Sequence, residues 1–363
     1  MIARGWDSFL LSLDDDELDH IETCGQDARW PARTPASLAK LVEHAAIVCA
    51  LPALSLPSGP GRPARRKESP RKRAQTEAFA RLVLPVAARF TRVVDVGSGH
   101  GHLTRQITGE TALPVVGLER EAALVARART LSASPSPTFH VTDVLRDGLP
   151  LAEGDFVVGL HACGELGDVM VTSAARVRGV ALALVGCCLQ KRRQLARPPL
   201  VAVAALQDRL ELPRALLGLS NLAPGDDGVE ATRAENLAGR ERRLALHRLL
   251  SEAGEPVRFG AEIEGLNRRV AQRGLGLLVR RAFALRGKPP PSHAAVEEAA
   301  SWAREAHARA RRLSLPRAML ARVLEVYVLF DRAAYLEQHG FSVDVGTLFP
   351  ALVSARNLAL LAR

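Results

Sequence analysis

The chain has 363 residues, 47% of them hydrophobic and 24% charged, with five cysteines and a formal net charge of +10. This composition excludes a disordered or collagen-like polymer, and the odd cysteine count, with two adjacent, excludes a disulfide framework. The acidic start of the chain (Asp14, Asp15 and Asp16) and the proline in its longest apolar run, "AAIVCALPALSL", argue against a secretory leader and a membrane span, so a cytoplasmic protein is expected.

In chain order, residues 1–60 read as an N-terminal helical segment, with helical spacing in "PASLAKLVEHAAIVCALPAL". Residues 61–75 read as a basic linker. Its stretch "RPARRKESPRKR", residues 62–73, holds seven basic residues against one acidic. Lysine occurs only five times, so nearly all the basic charge is arginine, as a coding bias would leave it. Clustering is not explained by such a bias, and the linker and the arginine-rich residues 191–315 together suit either a polyanionic partner such as RNA or a merely solvated basic surface. Arg71, Lys72 and Arg73 are the candidate substrate contacts.

From residue 76 to the end, apolar strands alternate with amphipathic helices. "TRVVDV", "LPVVGLE", "TFHVTDV", "GDFVVGLHACG" and "VALALVGCC" are the strands, and the pattern predicts a parallel α/β sheet covered on both faces. A helical insertion is expected at about 200–315. The final strands, "FSVDVGTLF" and "RNLALLAR", are joined too closely for a crossover and are expected to pair as an antiparallel hairpin.

"VVDVGSGHGHLTR", residues 93–105, places clustered glycines after the first strand. Glycine there lets a ligand approach the backbone. The spacing Gly97-x-Gly99-x-Gly101 differs from the dinucleotide fingerprint, and Asp95 beside it would repel a pyrophosphate while suiting an ammonium group. Glu119 ends the second strand, where it can accept both hydroxyls of a ribose. Asp143 ends the third, where it can accept from an adenine amino group. With Ser98 and His100 in the same loop, these residues suit an adenosine bearing an amino-acid tail and no phosphate, S-adenosylmethionine.

The three strand-end signals and the terminal hairpin resemble the class I, Rossmann-like methyltransferases that use this cofactor, which implies a seven-stranded sheet. "VVDVGSGHGHLTR", "VVGLHACGEL", "ALVGCC" and the tail from "DRAAYLEQHGF" more narrowly resemble the methyltransferase-like protein 25 family, which includes the ribosomal RNA adenine dimethylase domain-containing protein. A His-x-Cys-Gly strand end followed by Cys-Cys is also similar to a family of tRNA ribose 2'-O-methyltransferases. These resemblances imply an RNA methyltransferase. The lead-in "SPRKRAQTEAF" lacks the family's His-Glu pair, and "LHACG" lacks the prolines and aromatic that grip a flipped adenine, so adenine N6 is disfavoured as acceptor. The alternatives are a protein methyltransferase and a catalytically silent RNA-binding protein of the same fold.

His161 and Cys163 end the fourth strand, and Cys187 and Cys188 end the fifth. Three readings compete: small buried hydrophobes, a His161 general base of near-neutral pKa, and a zinc site. Alternation places His161 and Cys163 on one face. The assignment made from sequence is catalytic His161 and Cys163, no metal, and cysteines that are mainly structural.

Overall fold

The computed structural model describes residues 5–57, 69–132, 136–201, 211–222, 232–255 and 257–363. The chain divides into two units, one comprising residues 1–40 and 225–316 and the other 41–224 and 317–363. The division falls at Lys40, within a helix.

Near the N-terminus stand α1 (Trp6–Leu11), α2 (Asp15–Cys24) and α3 (Ala36–Cys49). Asp14 starts α2 with a reciprocal capping box to Glu17, each accepting the other's backbone N–H. The first unit's main core joins the helices Arg233–Glu252 and Leu275–Leu285 with Ala299 and Ala303 through Leu246, Leu250, Leu278 and Phe283. Asp19 and Glu22 of α2 both pair with Arg233, at 2.8 and 2.5 Å. The 46-residue helix His293–Gln338 contains Pro316 and supplies residues to each unit.

The second unit is built on α4 (Pro70–Ala87), β1 (Arg92–Val96), α5 (His102–Thr108), β2 (Val115–Glu119), α6 (Ala122–Thr130), β3 (Thr138–Val141), α7 (Val144–Asp147), β4 (Asp155–Cys163), α8 (Glu165–Ala174), β5 (Ala181–Cys187), β6 (Val343–Thr347) and β7 (Leu358–Ala362). The seven strands lie in the order β3-β2-β1-β4-β5-β7-β6. The first five are parallel, and β7 runs antiparallel to both neighbours, as the closely joined terminal strands required. The apolar strands read as continuous runs because both faces are covered. Val93, Phe156, Val158 and Val185 pack with α4 and α5 on one face, while Val94, Val157, Leu182 and Leu184 pack with α8 and Leu336 on the other. This Rossmann-like architecture places the carboxyl ends of β1, β2, β4 and β5 along one edge, and strand order reverses between β1 and β4.

The basic linker is partly helix. Residues 61–68 lie outside the described residues, but Ser69 caps α4 and Arg71, Lys72 and Arg73 form its first turn. Arg73 pairs with Glu77 one turn on, at 2.8 Å, and Arg71 donates to Ser354 Oγ at 3.3 Å. Of these three described basic residues, Lys72 alone is exposed.

Candidate functional site

The site begins where β1 runs out of side chains. Gly97 and Gly101 hold the chain at φ 74° and 70°, a left-handed backbone that favours glycine. At Gly101 a Cβ would also lie 2.5 Å from the Phe139 ring, so the turn into α5 packs directly on β3. The loop is pinned by the next strand: Gly99 N–H donates to Glu119 Oε2 at 3.1 Å, and Glu121 N–H to Oε1 at 3.0 Å. Each carboxylate oxygen keeps a further lone pair.

Beside this loop lies a cavity of about 450 Å3, within the range of small-molecule sites. Gly97, Leu118, Glu119, Asp143, Leu145, His161, Cys163 and Leu166 line it, with Arg120, Lys191, Arg192 and Arg193 among the basic residues at its wall. Asp143 accepts from Leu145 N–H at 3.2 Å through Oδ1 and so caps α7, the bland use of a strand-end acid, while still facing the cavity. Ser98 Oγ is buried with no hydrogen-bond partner among the described residues. Two carboxylates with spare lone pairs and a glycine-edged wall fit an adenosine moiety.

Asp95 stands differently from its expected contact with an ammonium group. Its side chain is buried and accepts from Thr104 Oγ1 at 2.6 Å, and it does not line the cavity. Burial pushes its pKa up to about 6, against the Thr104 hydrogen bond and with the Glu119 charge adding to the rise. An acid raised on folding costs stability above its folded pKa and nothing below its unfolded one. Asp95→Asn keeps an acceptor for Thr104 and is therefore expected to gain about 1–3 kcal/mol at pH 8. That gain should shrink to a few tenths of a kcal/mol at about pH 4, where the folded carboxyl is protonated and the unfolded one about half so. Urea unfolding at the two pH values checks this; equal effects at both would place the Asp95 charge in a solvated setting. His100 is exposed and outside the cavity lining, its carbonyl accepting from Arg105 at 2.7 Å.

His161 and Cys163 do reach the cavity, though not by regular alternation. The β4–β5 register slips between Leu160 and Ala162, and His161 takes φ 67°. Its Nε2 donates to Gln75 Oε1 at 3.1 Å, which leaves Nδ1 as an acceptor. Burial, then the nearby charges of Arg71 and Arg356, push its pKa down to about 4, so a base of near-neutral pKa is not what the fold makes of it. Cys188 is held far below the ordinary thiol range by hydrogen bonds from Cys163 and Cys187 and by the cations Arg356 and Lys191.

Part of the chain is similar to known proteins. Residues 71–194 match a family model described as a methyltransferase domain. That stretch runs from α4 through the turn after β5 and so contains every cavity-lining residue named above. Solved structures similar to the chain include a TehB-like SAM-dependent methyltransferase from Corynebacterium glutamicum, at 18% identity and TM-score 0.25, with 30% of this chain and 61% of that one covered. A sugar N-methyltransferase from a Streptoalloteichus species matches at 18% identity and TM-score 0.27, over 38% and 60%. Magnesium protoporphyrin IX methyltransferase from Synechocystis, solved with bound SAH, matches at 19% and TM-score 0.24, over 31% and 54%. The chain thus spans less than two thirds of the length of each of these structures.

Within the matched residues 71–194, Gln75, Glu165 and the basic turn Lys191–Arg193 were not foreseen from the sequence. "KRR" immediately after the fifth strand was the available signal, since loops at that strand's carboxyl end face the site. A buried network behind the site carried no such signal. Asp168 of α8 binds Arg332 at 2.9 Å, Arg197 at 3.1 Å and Arg192 at 3.3 Å, and Arg332 also donates to the Gly164 carbonyl at 3.0 Å.

Proposed function

We propose that this chain transfers a methyl group from S-adenosylmethionine to RNA, in the cytoplasm. The observation that carries the cofactor assignment is the pair Glu119 and Asp143, at the ends of neighbouring strands and facing one glycine-edged cavity. Glu119 accepts the ribose hydroxyls, Asp143 accepts from the adenine amino group, and Gly97 and Gly99 leave room for the methionine portion. When bound, the cofactor supplies an electrophilic methyl group on a sulfonium. His161, neutral at pH 7, orients the acceptor through Nδ1, and Gln75 holds its ring.

RNA is favoured by the cations at the cavity wall, of which Arg120, Lys191 and Arg193 are exposed, and by the overall charge of +10. The sequence resemblance to the methyltransferase-like protein 25 family points the same way. Among the described residues no helix is long and apolar enough to cross a membrane, and the cysteines are free, which suits a reducing compartment.

The test is transfer of labelled methyl from S-adenosylmethionine into total RNA and total protein from cells lacking this chain. Label in RNA, with an affinity that falls steeply as salt rises, is the expected result. Label confined to protein overturns the RNA assignment, and no label in either overturns the activity. Because the His161 pKa lies near 4, turnover should be level between about pH 6 and 8. An inflection near 6.5 that disappears in His161→Gln would instead show a titrating base.

A further inference from the structure

Three sulfur atoms converge at the carboxyl ends of β4 and β5. Cys163 stands opposite Cys187 in the parallel register, with their Sγ atoms 2.9 Å apart. The Sγ of Cys188 lies within 4.8 Å of both. Alternation would send the side chains of Cys187 and Cys188 to opposite faces of the sheet. Instead Cys188 takes φ 43° and opens a turn closed by Lys191 N–H on the Cys188 carbonyl at 2.8 Å, which brings its sulfur back to the other two.

His161 and Cys188 are the only non-glycine residues with positive φ among the described residues, and they flank this cluster. Strain of this kind persists only where the surroundings impose it, and it collects at ligand clamps. The two thiol-bearing segments are also tied together. Gly164 N–H donates to the Cys187 carbonyl at 3.0 Å and Glu165 N–H to the Lys191 carbonyl at 3.1 Å. The His161 carbonyl oxygen lies 3.3 and 3.4 Å from the Sγ atoms of Cys163 and Cys187. Simple packing of small apolar groups needs neither the strained turn nor a third sulfur, and a disulfide would use only two.

We propose that Cys163, Cys187 and Cys188 bind a thiophilic divalent metal ion of the zinc class. Zinc sits about 2.3 Å from each thiolate in a tetrahedral set, which places ligand sulfurs about 3.8 Å apart. Holding the ion parts Cys163 and Cys187 by about 1 Å from the contact they make here, with Cys188 already within 4.8 Å of both. All three sulfurs bind as thiolates, and the protons that Cys163 and Cys187 carry are released to solvent. The resulting net charge of minus one lies beside Lys191 and Arg356, the cations that act on Cys188. Cys163 and Lys191 both line the 450 Å3 cavity, so the fourth position opens toward it, as at zinc sites with three protein ligands. This site goes beyond the methyl transfer proposed above and does not depend on it.

The test uses the full chain, purified reduced without chelator in the presence of zinc. Elemental analysis should find one zinc per chain, and titration of the zinc-stripped protein with Co2+ should give thiolate-to-cobalt charge-transfer absorption. Cys188→Ser and Cys163→Ser should lose the zinc and the absorption, while Cys24→Ser, outside the cluster, keeps both. Should a variant fail to fold, the wild-type cobalt spectrum still decides. A reduced wild-type chain with neither zinc nor a thiolate–cobalt band overturns the proposal, as does loss of metal from Cys24→Ser equal to that from Cys188→Ser.

Discussion

Glu119→Ala lowers affinity for S-adenosylhomocysteine by about ten- to a hundredfold, which corresponds to about 1.5–3 kcal/mol of charge-assisted hydrogen bonding. Two losses combine in that figure. The ribose hydroxyls lose their acceptor, and the backbone N–H groups of Gly99 and Glu121 lose theirs, which frees the loop that edges the cavity. Glu119→Gln retains one acceptor oxygen and should fall between wild type and Ala. Calorimetric titration of the three proteins checks the order. Unchanged affinity in a folded Glu119→Ala would remove the cofactor assignment, and tighter binding of NAD than of S-adenosylhomocysteine would remove the reaction class with it.

Asp168→Ala destabilises the chain by about 3–5 kcal/mol, the cost of leaving buried cations without their counter-charge. Asp168 meets the guanidinium groups of Arg192, Arg197 and Arg332, all nearly inaccessible to solvent, and Asp331 alone cannot replace it. Burial by itself would raise the Asp168 pKa, but the charges of Arg332 and Arg197 outweigh it and the net shift is downward. The sign follows for an acid whose pKa drops on folding. Its contribution is fully present above the unfolded value of about 3.9 and is lost as pH falls through the lower folded value. Urea unfolding at pH 7 should therefore show the full penalty, and the gap between wild type and variant should narrow in acid. Arg332 also packs closely on Gly167 and Gly186 and holds the Gly164 carbonyl, so the turn after Cys163 should loosen in the variant. A penalty below about 1 kcal/mol would mean that water reaches these guanidinium groups.

By itself the sequence determined the sheet. Apolar runs of strand length separated by amphipathic helices admit a parallel arrangement covered on both faces, and the short link between the last two strands forces an antiparallel pair. The edge of the sheet that carries the cavity was equally legible, because glycines and acids at successive strand ends are local features whose position follows from strand direction. The tertiary structure decided whatever depends on residues distant in sequence or on burial. Asp95 and Glu119 look alike as strand-end acids, but Thr104 closes over one while the other faces the cavity. His161 has the ordinary side chain of a base, yet its burial beside Arg71, 90 residues earlier in the chain, keeps it neutral. The register slip at Leu160–Ala162 and the left-handed turn at Cys188 bring three sulfurs together that alternation would separate. Strand and helix periodicity report how neighbours along the chain are oriented. Charge, protonation and the convergence of side chains depend on the local dielectric and on partners that only folding brings near.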